Sequence, residues 1–195
     1  MKRGVPYFGA EAYIASWGLN VAGDQHSSTN MWVQNGPPDQ LNVILAGWTV
    51  SPMLYGDDHT RLFTFWTVYN AWITGCYNQL CSGFITIDTV ITPGLIVSPI
   101  SFWGGSQYDT KYLIYQDRPT GNWCWKQWDK PSDGNFRVGC YFRNIQFVNP
   151  RIDATEEFVD KSCCYALLNQ RNCGHDEMYY CYCFTFGGPG GKSRD

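Results

Sequence analysis

Short runs of β-branched and aromatic residues, each closed by Gly, Pro, Asn or Asp, recur along almost the whole chain, and this punctuation points to an all-β fold. The runs are Tyr13–Trp17, Asn30–Gln34, Leu41–Val50, Arg61–Val68, Ser82–Ile87, Leu95–Ile100, Lys111–Gln116, Gly121–Trp128 and Val138–Val148. Many strands at regular spacing predict an antiparallel sandwich or barrel. Alternation is visible in Arg61-Leu62-Phe63-Thr64-Phe65-Trp66-Thr67-Val68, a strand whose two faces can both be lined by aromatic rings. In Leu41–Val50, side chains Val43, Leu45, Gly47 and Thr49 belong to one face and Ile44, Ala46, Trp48 and Val50 to the other, with Pro52 ending the ladder. Helical periodicity is scarce, and Ala154–Leu168 is the best candidate for a helix. The residues from Asp129 to Asn135 form a predicted loop, and cysteines crowd the chain after Pro150.

The chain has 195 residues, enough for one sizeable core. Aromatic residues at 17% against charged residues at 16% describe a compact fold and exclude general disorder. A net charge of −3 with no run of Lys or Arg gives no footprint for nucleic acid or an anionic membrane surface, so neither partner is expected. No apolar run reaches membrane-spanning length. Nine cysteines favour an extracellular, vacuolar or other oxidising setting, and the odd count leaves at least one thiol without an intramolecular partner. The opening Met1-Lys2-Arg3-Gly4-Val5-Pro6 lacks the apolar stretch of a signal peptide, so the expectation is an incomplete start or a lost targeting segment. Nothing in the pattern fixes an oligomeric state.

Several ordered motifs go further than composition. They are Gly9-Ala10, Met31-Trp32-Val33, Ala46-Gly47-Trp48 through Tyr55-Gly56-Asp57, Arg61 through Thr67, and Gly75-Cys76-Tyr77-Asn78 with Leu80-Cys81-Ser82-Gly83-Phe84. Ser98-Pro99-Ile100, Gly104 through Tyr108, Gly121-Asn122-Trp123, Tyr141 through Gln146 and Gly187-Gly188-Pro189-Gly190 continue the series. In this order they resemble the catalytic domain of the neprosin family, plant glutamic peptidases that cleave on the carboxyl side of proline. The resemblance covers nearly the whole length. It implies one domain over residues 1–195, shortened between 124 and 140, with residues 151–195 as its Cys-rich C-terminal portion.

The resemblance implies an antiparallel β-sandwich of jelly-roll type, lacking some of the family's strands, with a cleft across one sheet and two glutamates facing each other in it. One carboxylate takes a proton from the attacking water while the other, kept protonated, polarises the scissile carbonyl and protonates the leaving amine. The first family glutamate, just before the Ala-Gly-Trp segment, falls on Leu45. The second belongs to a Gly-Gly-Glu segment that is missing here, since the interval from Cys124 to Cys140 holds no glutamate. The only glutamates are Glu11, Glu156, Glu157 and Glu177, none at a family position. Asp57, Asp58, Asp88, Asp109 and Asp117 sit mostly in turn-like contexts and are expected to be Asx turns or solvated loop residues. His26, His59 and His175 are expected as loop histidines, and no serine elbow, Walker loop or dinucleotide fingerprint offers another chemistry.

The expectation is therefore a secreted peptidase homologue without catalytic residues, non-proteolytic and using no cofactor. A peptide- or glycan-binding sandwich is the alternative, with Trp48, Trp66, Trp103 and Tyr108 as a candidate groove for proline-containing peptides. A decayed or mis-spliced product is a third reading. Cys76 and Cys81 are the best disulfide pair, because the intervening Tyr77-Asn78-Gln79-Leu80 makes a tight loop and the family has the same spacing. No metal is expected of Cys163, Cys164, Cys173, His175, Cys181 and Cys183, because the Cys163-Cys164 and Cys181-x-Cys183 spacings match no zinc finger.

Overall fold

The computed structural model describes residues 7–37, 40–67, 75–127, 132–133, 140–148, 154–157 and 184–186. In chain order the elements are β1 (Gly9–Ala15), β2 (Ser27–Asn35), β3 (Asn42–Val50), the short helix α1 (Pro52–Tyr55), β4 (Arg61–Trp66), β5 (Cys76–Tyr77) and β6 (Tyr108–Gln116). They continue with β7 (Trp123–Gln127), β8 (Ser132–Asp133), β9 (Cys140–Val148), β10 (Ala154–Glu157) and β11 (Phe184–Phe186). The strands form two antiparallel sheets. The first has the order β10-β9-β1-β6-β7, with β11 beside β9 and β8 beside β6, and the second has the order β2-β3-β4-β5. No helix among the described residues is long and apolar enough to cross a membrane.

Of the antiparallel sandwich or barrel expected from the punctuation, the sandwich is what forms. Period-two alternation sends Ala12 and Ile14 of β1, Tyr112 of β6 and Phe142 of β9 to the same cluster as Trp48 and Val50 of β3 and Leu62 of β4. Trp48 joins the two layers, its indole Nε1–H donating to the Ala15 carbonyl at 2.8 Å. Burying that side chain to 1% exposure requires such a partner, since an indole N–H left without an acceptor in a core is costly.

The strand predictions at Ser82–Ile87 and Leu95–Ile100 are corrected. Residues 82–87 are irregular, and Ile85 and Ile87 stand 81% and 89% exposed. β-branched residues cannot hold a ladder without a neighbouring strand, and none among the described residues lies beside them. In Leu95–Ile100 only Ile96 makes a bridge, to Arg61, and Pro99 has no N–H to extend it. The helix predicted over Ala154–Leu168 begins instead as β10, which pairs with β9 through Ala154↔Val148 and Glu157↔Gln146. The rest of that prediction lies outside the described residues, as does the cluster of Cys163, Cys164, Cys173, His175, Cys181 and Cys183.

Candidate functional site

Leu45 lies at the middle of β3, paired with Trp32 of β2 on one side and Phe65 of β4 on the other. Phe65 in turn pairs with Tyr77 of β5. Directly opposed residues share a sheet face, so Trp32, Leu45, Phe65 and Tyr77 form one apolar row across all four strands. The row ends are open, with Trp32 62% and Tyr77 44% exposed. At one end the Phe65 and Tyr77 rings tilt against each other at 5.0 Å between centroids. Phe63 backs them, 6.4 Å from Tyr77.

The neighbouring row is Asn30, Gly47 and Phe63. Gly47 is demanded by β2 itself, because a Cβ there would stand 2.0 Å from the Thr29 carbonyl oxygen and 2.6 Å from the Asn30 Cα. The glycine of the Ala-Gly-Trp motif thus lets two strands close up beside Leu45.

The remaining motif residues brace this face. Gly56 caps α1 in the left-handed conformation at φ 80°, with its N–H on the Pro52 carbonyl. The chain then turns back into β4. Asp57 grips Arg61 through both carboxylate oxygens, at 3.1 and 2.5 Å, and Arg61 donates onward to the Gly94 carbonyl at 2.6 Å. The hydrogen bond from Arg61 holds the Asp57 carboxyl well below the usual carboxylate range, at about 2. Tyr55 donates its hydroxyl proton to the Leu62 carbonyl at 3.2 Å and accepts from the Asn78 amide at 2.9 Å. Burial pushes the Tyr55 phenol up. Asn78 also takes the Thr64 N–H on its side-chain oxygen at 3.0 Å, and the adjoining loop is closed by a disulfide between Cys76 and Cys81. The Tyr-Gly-Asp and Cys-Tyr-Asn motifs therefore fix β4 and β5 in place and supply no free acid or base to the row.

The residues proposed as a groove do not come together. Trp48 faces the core, on the side of β3 opposite Leu45. Trp66 shares the Trp48 side of its sheet by its pairing with Ile44, and packs on Gly83. Trp103 is 74% exposed in the loop before β6, and Tyr108 begins β6 in the other sheet. The aromatic residues that do share the Leu45 face are Trp32, Phe63, Phe65 and Tyr77. Strand parity is the signal that separates Trp48 from Leu45, three residues away on the same strand, whereas Trp66 is placed only by its register with Ile44.

Asp88, Asp109, Asp117 and Glu11 are engaged elsewhere. Asp88 and Asp117 take turn geometry, Asp88 accepting the Val90 and Ile91 N–H groups and Asp117 the Thr120 N–H. Asp109 departs from the turn reading, because it lies within β6, is fully buried and accepts from Arg143 at 2.5 and 2.9 Å. Arg143 stacks over Tyr13 at 4.0 Å, and on the same side of the first sheet Glu11 meets Lys111 at 2.6 Å. Glu11 and Asp109, the carboxylates buried among the described residues, therefore serve ion pairs in the first sheet.

The sequence profile of the Neprosin family matches residues 23–132, more than half of the chain. That span contains the whole second sheet, the Leu45 row and the braces around Tyr55, Asp57 and Asn78, together with β6 and β7 of the first and the opening residue of β8. This chain belongs to the Neprosin family.

Proposed function

We propose that the chain is a non-hydrolytic member of the family, secreted, that holds extended proline-containing peptides against the Leu45 face without cutting them. The register of Leu45 between Trp32 and Phe65 carries this reading. Two-acid hydrolysis needs a proton acceptor where the water attacks, and an isobutyl side chain has neither a lone pair nor an acidic proton. The second acid falls in the shortened interval between Cys124 and Cys140, which has no glutamate. An aromatic row open at Trp32 and Tyr77 suits proline, whose flat ring packs on an aromatic face. The nine cysteines and the Cys76–Cys81 bond support an oxidising compartment.

The test is incubation of the purified chain with proline-containing peptides from about pH 3 to pH 7, read by mass spectrometry, beside tryptophan-fluorescence titration. Intact peptides, saturable binding and roughly tenfold weaker binding by Trp32→Ala are expected. Fragments ending in proline would overturn the non-hydrolytic reading. Binding indifferent to Trp32→Ala and Phe65→Ala would remove the row from recognition.

A further inference from the structure

The sheet edges of this sandwich are unequal. In the first sheet β6 is flanked by β7 of five residues and β8 of two, and β9 by β10 of four and β11 of three. In the second sheet the outer side of β4 carries β5 of two residues, and then the segment that gives the Leu62 N–H to Leu95 O and Gly94 N–H to Leu62 O bonds, each 2.8 Å. The remaining edge is β2, nine residues long, and no strand among the described residues pairs with its outer side.

Exposed edges are ordinarily protected by charge, proline, a bulge or shortness. β2 has none of these. Ser27-Ser28-Thr29-Asn30-Met31-Trp32-Val33-Gln34-Asn35 contains no charged residue and no proline, and its register with β3 runs unbroken from Ser27↔Val50 to Asn35↔Asn42. We propose that β2 pairs antiparallel with β2 of a second copy of this chain, joining two four-stranded sheets into one.

The choice of occupant follows from the chemistry of the edge. A proline-rich segment lacks the N–H groups a ladder needs, so the peptides that suit the aromatic row do not suit this edge. A strongly charged strand would find no opposite charge on β2. A second copy meets no like-charge repulsion, and full overlap of nine residues puts the two-fold axis at Met31, the strand midpoint. Ser28 then faces the partner subunit's Gln34, and Asn30 faces the partner subunit's Trp32. The two exposed indoles become diagonal neighbours, about 7–8 Å apart and within reach of each other. The partner copy thereby adds a tryptophan next to the open end of the Leu45 row. One strand pair is a small interface beside the roughly 1,600 Å² of a standard one, so the dimer is weak and appears at micromolar concentration.

Antiparallel register gives the test its specificity. Ser28 and Gln34 are both exposed on the sheet surface, so charges there spare the core. Sedimentation equilibrium of the full chain over a micromolar dilution series is expected to show a monomer–dimer equilibrium. Ser28→Lys with Gln34→Lys places lysine against lysine twice and is expected to weaken the dimer about tenfold. Ser28→Lys with Gln34→Asp places lysine against aspartate and is expected to restore it, whereas parallel pairing would gain nothing distinctive from that combination. Hydrogen exchange at residues 27–35 should slow as protein concentration rises. A chain that stays monomeric through the series, a dimer indifferent to the paired lysines, or concentration-independent protection of β2 (its edge covered from within one chain) would each overturn the proposal. None of these outcomes depends on peptide binding or cleavage.

Discussion

On one side of β3, Ile44, Ala46, Trp48 and Val50 look toward the other sheet; on the opposite side, Leu45 sits between Trp32 and Phe65 in a row that opens to solvent at both ends. The backbone is shared, and only the parity differs. The Trp48 side is constrained by packing, because its indole fills the interface and carries a hydrogen bond between layers. The Leu45 side is where a change of one residue type alters chemistry more than architecture. The motifs belong mostly to the first side and to the braces, so they hold the fold whatever residue stands at the Leu45 position.

The strongest way to break this comparison is Trp48→Ala. Removing a nearly fully buried indole together with its bond to the Ala15 carbonyl is expected to cost about 3–5 kcal/mol, measured by urea unfolding. Trp32→Ala, the same substitution at a 62% exposed site, is expected to cost less than about 1 kcal/mol. Equal costs would mean that the two sides of the sheet are not divided as described.

Leu45→Glu comes next. A carboxylate set between Trp32 and Phe65 loses part of its hydration without gaining a cation, and a cost of about 1–3 kcal/mol is expected at neutral pH. Apolar surroundings raise the folded-state pKa of the new acid above its unfolded value of about 4.3. The deficit against the unsubstituted chain should therefore be small below that pH, grow as pH rises through the interval up to the folded pKa, and level off above it. On the non-hydrolytic reading proposed above, no cleavage of proline-containing peptides is expected from this variant, because the interval from Cys124 to Cys140 holds no glutamate to act as the second acid. Cleavage would show that some other group serves as the partner, and a pH-independent deficit would show that the row is not apolar.

Much of this division was legible beforehand. Alternation in Leu41–Val50 separates Leu45 from Trp48, and the recurrence of short punctuated runs points to an antiparallel sandwich or barrel. The pairing partners were not legible, because register depends on which strands become neighbours. That is why Trp32 and Tyr77, more than thirty residues apart in the chain, were not grouped with Phe65. Asp109 departs from the turn expected of it for a related reason. Its sequence neighbours resemble a turn, whereas its burial depends on Arg143 arriving from β9. Likewise Ser82–Ile87 has strand composition but no strand to pair with among the described residues, and propensity alone forms no ladder.

The smallest expected effect concerns a brace on the Leu45 side. Arg61 lowers the Asp57 carboxyl to about 2, against an unfolded value of about 3.9. A folded pKa below the unfolded one stabilises the protein above the unfolded value, and that stabilisation disappears as pH falls through the folded one. Solvent screens a pair this exposed, so the contribution is modest. In thermal melts, Asp57→Asn should lower Tm slightly at pH 6, and the gap from the unsubstituted chain should close as pH falls from about 4 to about 2. A gap that persists unchanged at pH 2 would assign the effect to the hydrogen-bond geometry around His59 and Arg61, which an uncharged amide also disturbs. Closure with falling pH would instead assign it to charge, and would mark the Tyr55–Arg61 turn as held in part by electrostatics while the Trp48 side, whose cluster among the described residues contains no carboxylate or histidine, stays indifferent to pH over this range.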